Sequence, residues 1–584
     1  MILIECIQQM CHEAFIQAYP TLITEPWMAE VTRATSVKFG HYQCNSAMKL
    51  TKRLAKNPKE IAAQVISILQ TGEGSAGLFE KLEIAGPGFI NVWLKAEFIE
   101  SEVNKMLGDI RLGVPKIKNP QKIAIDFSAP NTAKEMHVGH LRSTIIGDAL
   151  ARIIEFLGHE LLRLNHIGDW GTQFGMLIAY LKQYQPEVAS GEFETDLSHL
   201  MQWYKTSKKI FDEDLVFKKN AQQEVVALQS GEASAIQIWK MICDISQKAY
   251  HQIYDYLEVK LIDRGESFYN PMLPGIVKEL TDKGYVVINN SAKCIFLDGF
   301  KNREGEALPM MLQKSDGGYN YDTTDMAAMK HRVQIEKCNR LIYVTDSGQS
   351  THFAMLFAAA KKVGYADENI RLDHVPFGLV LGPDGKKYKT RSGDTEKLID
   401  LLSEGVSRAK KILLERNQQE AIFTETELEE TAKIIGVSAI KYADLSGNRI
   451  QDYVFEYDKM LKLEGNTAAF LIYAYVRTAG IKRKLSEKQD LSAAKIQLTH
   501  PMELNLAMHL LRFPEIVYQV ADDLFPNGLC EYLFELANHF NQFFRDCRII
   551  GSEQQASRLL LSDLTAQVLK LGMGLLGLKT VEKM

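Results

Sequence analysis

Ser128-Ala129-Pro130-Asn131-Thr132-Ala133-Lys134-Glu135-Met136-His137-Val138-Gly139-His140 joins a short apolar run, 123–127, to a stretch in which Leu141, Ile145, Ala149, Ile153 and Leu157 recur at helical spacing. Strand, loop and helix are therefore predicted in succession. Another strand is predicted at 161–164, and 341–345 (strand), 350–362 (helix) and 375–381 (strand) repeat the alternation later in the chain. Strands that alternate with helices imply a Rossmann-like, doubly wound parallel α/β sheet. In such a sheet the first strand-to-helix junction binds nucleotides, because free backbone N–H groups and the helix dipole favour phosphate. His137 and His140 stand three residues apart at that junction, with Gly139 between them. Both can face a ligand on the first helical turn, and Gly139 lets a planar ring approach the backbone. Their ring N–H groups suit a phosphate whose charge grows in a transition state. Outside this setting the same residues would be two ordinary helix-start histidines; the strand–loop–helix context favours function.

Working outward, the 584 residues are too many for one ordinary core and suggest three to four domains. The first part, 1–114, has the pattern of a small α/β domain. Asn57-Pro58 and Glu60 form a helix-start signal, Ile61, Val65, Ile68 and Leu69 follow at helical spacing, and a strand is expected at 89–94. The Pro- and Lys-containing link 115–122 opens the nucleotide-binding part, 115–408, which carries a polar, largely helical insertion at about 185–290. Beyond 409 the apolar spacing is helical at 434–443, 468–482, 501–520 and 564–576, so 409–584 is expected to be all-α.

Composition excludes several classes. Apolar content of 46% and charged content of 24% are ordinary for a globular protein, and a net charge of −5 confines any nucleic-acid surface to a local basic patch. The eight cysteines form no C-x-x-C pair, so neither zinc nor a disulfide framework is expected. The amino terminus lacks a basic region and Glu5 interrupts its apolar run, which excludes a signal peptide. No apolar stretch is long enough to span a bilayer. A cytoplasmic protein without membrane association is the expectation.

Three further strings carry chemistry. Lys386-Lys387-Tyr388-Lys389-Thr390-Arg391-Ser392-Gly393 follows a Gly382-Pro383-Asp384-Gly385 turn, and a basic loop there could close on a triphosphate or be a solvated hairpin. Tyr321-Asp322-Thr323-Thr324-Asp325 sets a phenol and a carboxylate four residues apart, while Asp126 ends the first strand. Carboxylates suit a guanidinium, although Asp126 could be a strand-end cap and Asp325 a helix-start charge. Asn165–Gly175 and Asp346–Phe353 lie at the ends of strands, the edge where open α/β sheets bind ligands.

His137-Val138-Gly139-His140 resembles the HIGH signature of class I aminoacyl-tRNA synthetases, and its continuation through Leu141-Arg142-Ser143-Thr144-Ile145-Ile146-Gly147-Asp148 is similar to the arginine-specific members. The resemblance spans almost the whole chain and is weakest over the insertion and 415–430. The basic loop resembles the KMSKS element in degenerate form, with Thr390 or Arg391 in place of its second lysine. In this family a lysine before the HIGH element compensates, and Lys134 occupies that place. The resemblance implies catalytic roles for His137, His140 and Lys134. It implies an ATP site of Pro130, Gly139, His140, Lys387, Lys389, Thr390 and Arg391. It surrounds the arginine side chain with Asp126, Tyr321 and Asp325, and its α-amino and α-carboxyl groups with Asn131, His137 and Gln349.

The same resemblance makes 1–114 a tRNA-elbow-contacting domain, with Gln43 and Asn45 as base-edge candidates, and 409–584 a tRNA and anticodon-binding domain, with Arg477 and Lys482 as phosphate candidates. Those four could equally be turn residues and a solvated charged face. The implied activity is arginine–tRNA ligation: ATP activates L-arginine to arginyl-adenylate, which is transferred to the 3′-terminal ribose of tRNA(Arg). ATP is a substrate, Mg²⁺ accompanies it, the first step needs bound tRNA, and the enzyme is a monomer. Two other readings share the HIGH-like loop. A small-molecule nucleotidyltransferase would not need the helical C-terminal part, and a non-catalytic RNA-binding relative would be expected to have lost His137, His140 or Lys134.

Overall fold

In the computed structural model the described residues are all but 1, 25, 73–76, 303, 389–396, 420–421, 484–490 and 492, and the side chains of 37, 419, 479, 482 and 483 are also outside the description. The chain divides into two compact units, Ile117–Lys462 and a second made of Met1–Lys116 together with Leu463–Met584.

The first unit is built on a parallel sheet. Numbered within it, the elements are β1 (Lys122–Asp126), α1 (Val138–Leu157), β2 (Glu160–Asn165), α2 (Thr172–Tyr184), α3 (Ala233–Leu257), β3 (Ile262–Asp263), α4 (Tyr321–Lys330), β4 (Arg340–Asp346), α5 (Ser350–Lys362), β5 (Arg371–Phe377), α6 (Leu398–Gln419) and α7 (Glu425–Leu445). The sheet order is β5-β4-β1-β2-β3, with every pairing parallel. This is the doubly wound order, and the strand sequence reverses direction between β1 and β4. β1 is central, and Ile123, Ala124 and Ile125 are buried on both of its faces, as parallel strands covered by helices require.

The apolar stripe read from Leu141 to Leu157 is only part of α1. Arg142, Ser143, Thr144, Ile146, Asp148 and Leu150 are buried as well, so the helix is enclosed on all sides until its last turns, where Glu155 is exposed. Its polar members are all bonded. Ser143 Oγ accepts the Ser128 N–H at 2.8 Å and donates to the Val344 carbonyl at 2.7 Å. Arg142 donates to Asp444 at 3.2 Å and to the carbonyls of Gly378, Gln451 and Arg449.

The sheet's flanks differ from the expectation in four places. The strand expected at 375–381 is two: β5 ends at Phe377, and Val380–Leu381 pairs with Tyr453–Val454. Within 185–290 the helices Leu197–Glu213, Leu215–Ser230 and α3 pack on α2 through Leu200, Leu228, Ile238 and Ile242, and β3 extends the central sheet. An antiparallel sheet of Val287–Asn289, Ala292–Lys301 and Ala307–Gln313 follows, which the sequence reading did not anticipate. The helices α6 and α7 lie in the same compact unit as the parallel sheet, whereas a boundary at 408/409 puts half of α6 and all of α7 with the C-terminal part.

The second unit holds a four-stranded antiparallel sheet, ordered Val31–Arg33, Tyr42–Cys44, Phe89–Leu94, Phe79–Ala85. The helix Pro58–Thr71 is capped by Asn57, whose side chain accepts the Lys59 N–H at 2.9 Å. Its C-terminal helices include Ala468–Arg483, Pro501–Leu510, Phe513–Asp523, Asn527–Asp546 and Gln555–Leu575. The expected helix 501–520 breaks because Pro514, which lacks an N–H, starts a new helix instead of continuing the old one. Buried Glu515 ties the sheet to these helices: it accepts from the Ile4 N–H at 3.0 Å, Arg33 at 3.2 Å and Tyr42 at 2.5 Å. No helix of the described residues is long and apolar enough to cross a membrane.

Candidate active site at the switch point of the sheet

The loop after β1 is held in a strained path. Ser128, Ala129 and Ala133 all have positive φ, at 76°, 47° and 61°. Such conformations persist only when neighbours over-determine them. The neighbours come from β2 and α3. Asn165 Oδ1 accepts the Ala129 N–H at 3.0 Å, Tyr254 Oη pairs with Ser128 Oγ at 2.8 Å, and Tyr250 donates to the carbonyls of Asn131 and Lys134 at 2.6 and 2.8 Å. The segment left without a role in the sequence thus clamps the nucleotide loop. Asn131 forms a parallel bridge with Gly168, and a Cβ on Gly168 would sit 2.3 Å from Asn131 Oδ1, so glycine there is what leaves room for the amide.

His137 is the N-cap of α1. Its Nδ1 accepts the Gly139 N–H at 3.1 Å, and His140 Nδ1 accepts the His137 N–H at 3.1 Å. With both Nδ1 atoms accepting, the ring proton of each neutral imidazole resides on Nε2. Burial, followed by Lys387 and Lys134, lowers the His137 pKa, and burial with His137 and Lys134 nearby pushes His140 down to about 3. Both are neutral Nε2–H donors at physiological pH, at a helix N-terminus suited to phosphate. The ring that crowds Gly139 belongs to His137 itself, since a Cβ there would lie 2.9 Å from His137 Cε1.

Lys134 is exposed and lies 5.5 Å from the Tyr204 ring centroid. Lys387 sits on the hairpin whose turn is Gly382 to Gly385, closed by the Gly385 N–H on the Gly382 carbonyl at 2.9 Å. Lys389, Thr390 and Arg391 lie outside the described residues. The chain past them is anchored on the nucleotide loop: the Leu398 N–H donates to the Met136 carbonyl at 3.0 Å, and Lys397 pairs with Glu135 at 2.9 Å.

Acidic groups gather beside this loop. Asp325 Oδ2 lies 2.7 Å from His352 Nε2, and its Oδ1 is 3.7 Å from His166 Nε2. Tyr321 is exposed and sets its ring edge-on to His352 at 5.1 Å. Asp169 accepts from the Ser267 N–H and hydroxyl at 2.8 and 2.6 Å, and the Glu266 N–H donates to the Ile167 carbonyl at 3.0 Å. Burial, then the charges of Asp325 and Asp169, pushes the Glu266 carboxyl up to about 8. Gln349 is exposed, with its amide 3.3 Å from Asp346.

Asp126 is placed differently from its expected neighbours. Its carboxylate is 2.7 Å from Nη2 of Arg332, a fully buried side chain on the π-helical turn His331–Ile335 that extends α4. Asp126 therefore already has an internal guanidinium, while Asp325 and Glu266 stand toward the loops after β2 and β3. Sequence reasoning missed Arg332, His352 and Glu266. Glu266 carried no signal that could have found it, because the two-residue β3 that brings it to the ligand-binding edge ends three positions before it and lies in a stretch expected to be largely helical.

The tRNA candidates are engaged locally. Gln43 donates to Asn91 at 2.6 Å and Asn45 to Thr32 at 3.3 Å. Arg477 donates to Asn541 at 3.2 Å and packs over Phe544 at 4.5 Å, and the Lys482 side chain lies outside the described residues. All eight cysteines are free thiols.

A doubly wound sheet with two neutral histidines capping the first helix defines a class I synthetase catalytic domain, and the family model described as the catalytic domain of class I tRNA synthetases (R) matches residues 102–457. A DALR anticodon-binding domain matches 471–584, and an arginyl-tRNA synthetase N-terminal domain matches 1–94. The chain belongs to the arginyl-tRNA synthetase family. It is 57% identical to the arginine–tRNA ligase of Protochlamydia amoebophila, with 100% of each chain covered, and 52% identical to that of Nostoc punctiforme over 94% of each. Its structure matches the crystal structure of Plasmodium falciparum arginyl-tRNA synthetase with a TM-score of 0.87 and 37% identity, covering 100% of this chain and 99% of that one.

Proposed function

We propose that this chain activates arginine with ATP, transfers it to the 3′-terminal ribose of tRNA(Arg), and divides that work among the residues gathered at the switch point. The ligase activity follows from the family. The division of labour is supported above all by one observation: a neutral Nε2–H histidine pair caps α1, while Asp325 on α4 lies against His166 of the loop after β2, which bridges the nucleotide loop at Asn131 and Gly168.

The arginine carboxylate attacks the α-phosphate and pyrophosphate departs. No protein nucleophile is needed, so rate comes from positioning and from stabilising charge. His137 and His140 donate from Nε2 to phosphate oxygens as negative charge develops. Pro130 and Gly139 shape the nucleotide's approach; Lys134, Lys387, Lys389 and Arg391 supply cationic groups for the departing pyrophosphate, and Thr390 a hydroxyl. Mg²⁺ travels with the ATP phosphates as part of the substrate. Asp325, Tyr321 and Glu266 read the guanidinium, with Asp126 held behind them by Arg332. Asn131, His137 and Gln349 hold the α-amino and α-carboxyl groups. A ribose hydroxyl then attacks the acyl carbon and releases AMP.

Residues 1–114 and 409–584 serve the tRNA in this reading. Gln43 and Asn45 face the elbow, and Arg477 and Lys482 track phosphates. The protein works as a cytoplasmic monomer. ATP–pyrophosphate exchange with arginine, run with and without tRNA(Arg), tests the assignment. Exchange only with tRNA is expected; exchange with a different amino acid and none with arginine would overturn it.

A further inference from the structure

His352 stands outside every role assigned so far, yet both of its ring nitrogens face carboxylates. Nδ1 is 3.2 Å from Asp322 Oδ1 and Nε2 is 2.7 Å from Asp325 Oδ2. A neutral imidazole has one N–H and would leave one carboxylate facing a lone pair, whereas an imidazolium satisfies both. The other end of Asp322 is committed too, because its Oδ2 accepts the Met311 N–H at 3.2 Å. Asp325 is the last member of this row, and its remaining oxygen, Oδ1, has His166 at 3.7 Å as its neighbour.

We propose that His352 is a positioning residue for the amino-acid substrate: as a built-in imidazolium wedged between Asp322 and Asp325, it turns Asp325 so that Oδ1 meets the arginine guanidinium. This rests on the reading that Asp325 takes the guanidinium. The row runs from the Met311 N–H through Asp322 and His352 to Asp325, so the orientation of one carboxylate is anchored in the antiparallel sheet behind it.

The surroundings favour the charged ring. Burial opposes the charge, but the hydrogen bonds to Asp322 and Asp325 and their charges outweigh it and hold His352 up at about 9. From α4 the ring also meets Tyr321, 5.1 Å away edge-on. From β5 comes His374, which burial and Arg449 lower to about 4, so it adds no second cation at neutral pH. His166 and Glu266 approach through Asp325.

The test uses the full-length enzyme with tRNA(Arg) in ATP–pyrophosphate exchange, comparing wild type with His352→Ala and His352→Gln. His352→Ala should raise KM for arginine about tenfold or more, the size of a lost charge-assisted hydrogen bond, and leave KM for ATP within about twofold. His352→Gln should recover part of that loss near pH 7, because an amide can still donate to Asp325. Calorimetric titration with arginine between pH 8 and 10 supplies a second readout. Wild type should lose affinity above about pH 9 relative to His352→Gln, which has no proton to lose. The substrate's own α-amino group titrates in both proteins and cancels in that comparison. Parallel rises in KM for arginine and ATP, or identical alkaline limbs in the two proteins, would overturn the proposal. Should His352→Ala fail to fold, the pH comparison with His352→Gln decides alone. Wild type that exchanges with no arginine overturns the underlying reading instead, which separates the two failures.

Discussion

On the proposed reading of the site, arginine binding is expected to be proton-linked through Glu266. Its carboxyl is pushed up to about 8 by burial, then by the charges of Asp325 and Asp169, so in the empty pocket it is mostly neutral at pH 7. A guanidinium brings the missing positive charge, and Glu266 ionises as it enters. Each arginine bound should therefore release close to one proton at about pH 7 and below and about half a proton at pH 8, and affinity should rise with pH until Glu266 is already ionised. At pH 6 about one molecule in a hundred holds the ionised form, and at pH 8 about half do, so affinity should climb about fifty-fold across that interval and level off above it. The sign for folding is the opposite. The folded chain keeps a proton that the unfolded chain gives up above the ordinary 4.5, so this group's contribution to stability is lost as pH rises toward 8 in the absence of arginine. Calorimetric titration in buffers of different ionisation enthalpy counts the protons directly. Glu266→Gln should release none, show a flat profile between pH 6 and 8, and bind arginine about ten- to hundredfold more weakly at pH 8. Proton-free binding by wild type, or undiminished affinity in Glu266→Gln, would refute the reasoning.

Asp126→Asn and Arg332→Gln each strand a buried charge and should each cost about 3–5 kcal/mol in denaturant unfolding, while the double variant should cost well below the sum, since neither charge is then left alone. Gly168→Ala should fold but raise KM for arginine on the order of tenfold, because its Cβ would lie 2.3 Å from Asn131 Oδ1 and displace an amide expected to hold the substrate's α-groups; unchanged steady-state constants would remove Asn131 from that role.

The nucleotide side of the site was legible because its signals are local. The strand, the loop and the capping histidines are contiguous, so spacing alone placed His137 and His140 at the start of α1. The helix 350–362 and the central strands were legible for the same reason. The arginine side was not, because its decisive pairings join segments far apart in the chain. Nothing near Asp126 announces Arg332, and a helical period cannot say that Ser143, Thr144 and Arg142 are as buried as Leu141. Periodicity reports one face, and the first turns of α1 have no exposed residue to contrast with it. The region 185–290 looked like a polar insertion because its helices are amphipathic, yet Tyr250, Tyr254 and Glu266 all come from it. A polar residue clamped between loops has the same sequence signature as one in water.

The pairing of these acids bears on how lysine is refused. Carboxylates crowded to receive a cation would repel one another in the empty enzyme, and each is relieved internally: Asp126 by Arg332, Asp322 and Asp325 by His352, and Glu266 by keeping its proton. On the proposed reading, what remains open to a substrate is one oxygen of Asp325 and a carboxyl that is mostly protonated at pH 7 until a positive group reaches it. A guanidinium is planar, with donors spread along two edges, and can satisfy both at once. An ammonium is a compact point charge; placed against Asp325 it leaves Glu266 without a donor, and placed against Glu266 it leaves Asp325 unsatisfied. The wrong substrate then forgoes one of the two charge-assisted contacts that a guanidinium makes, a larger loss than a missing methylene, and a site of this kind favours arginine without a second, hydrolytic site.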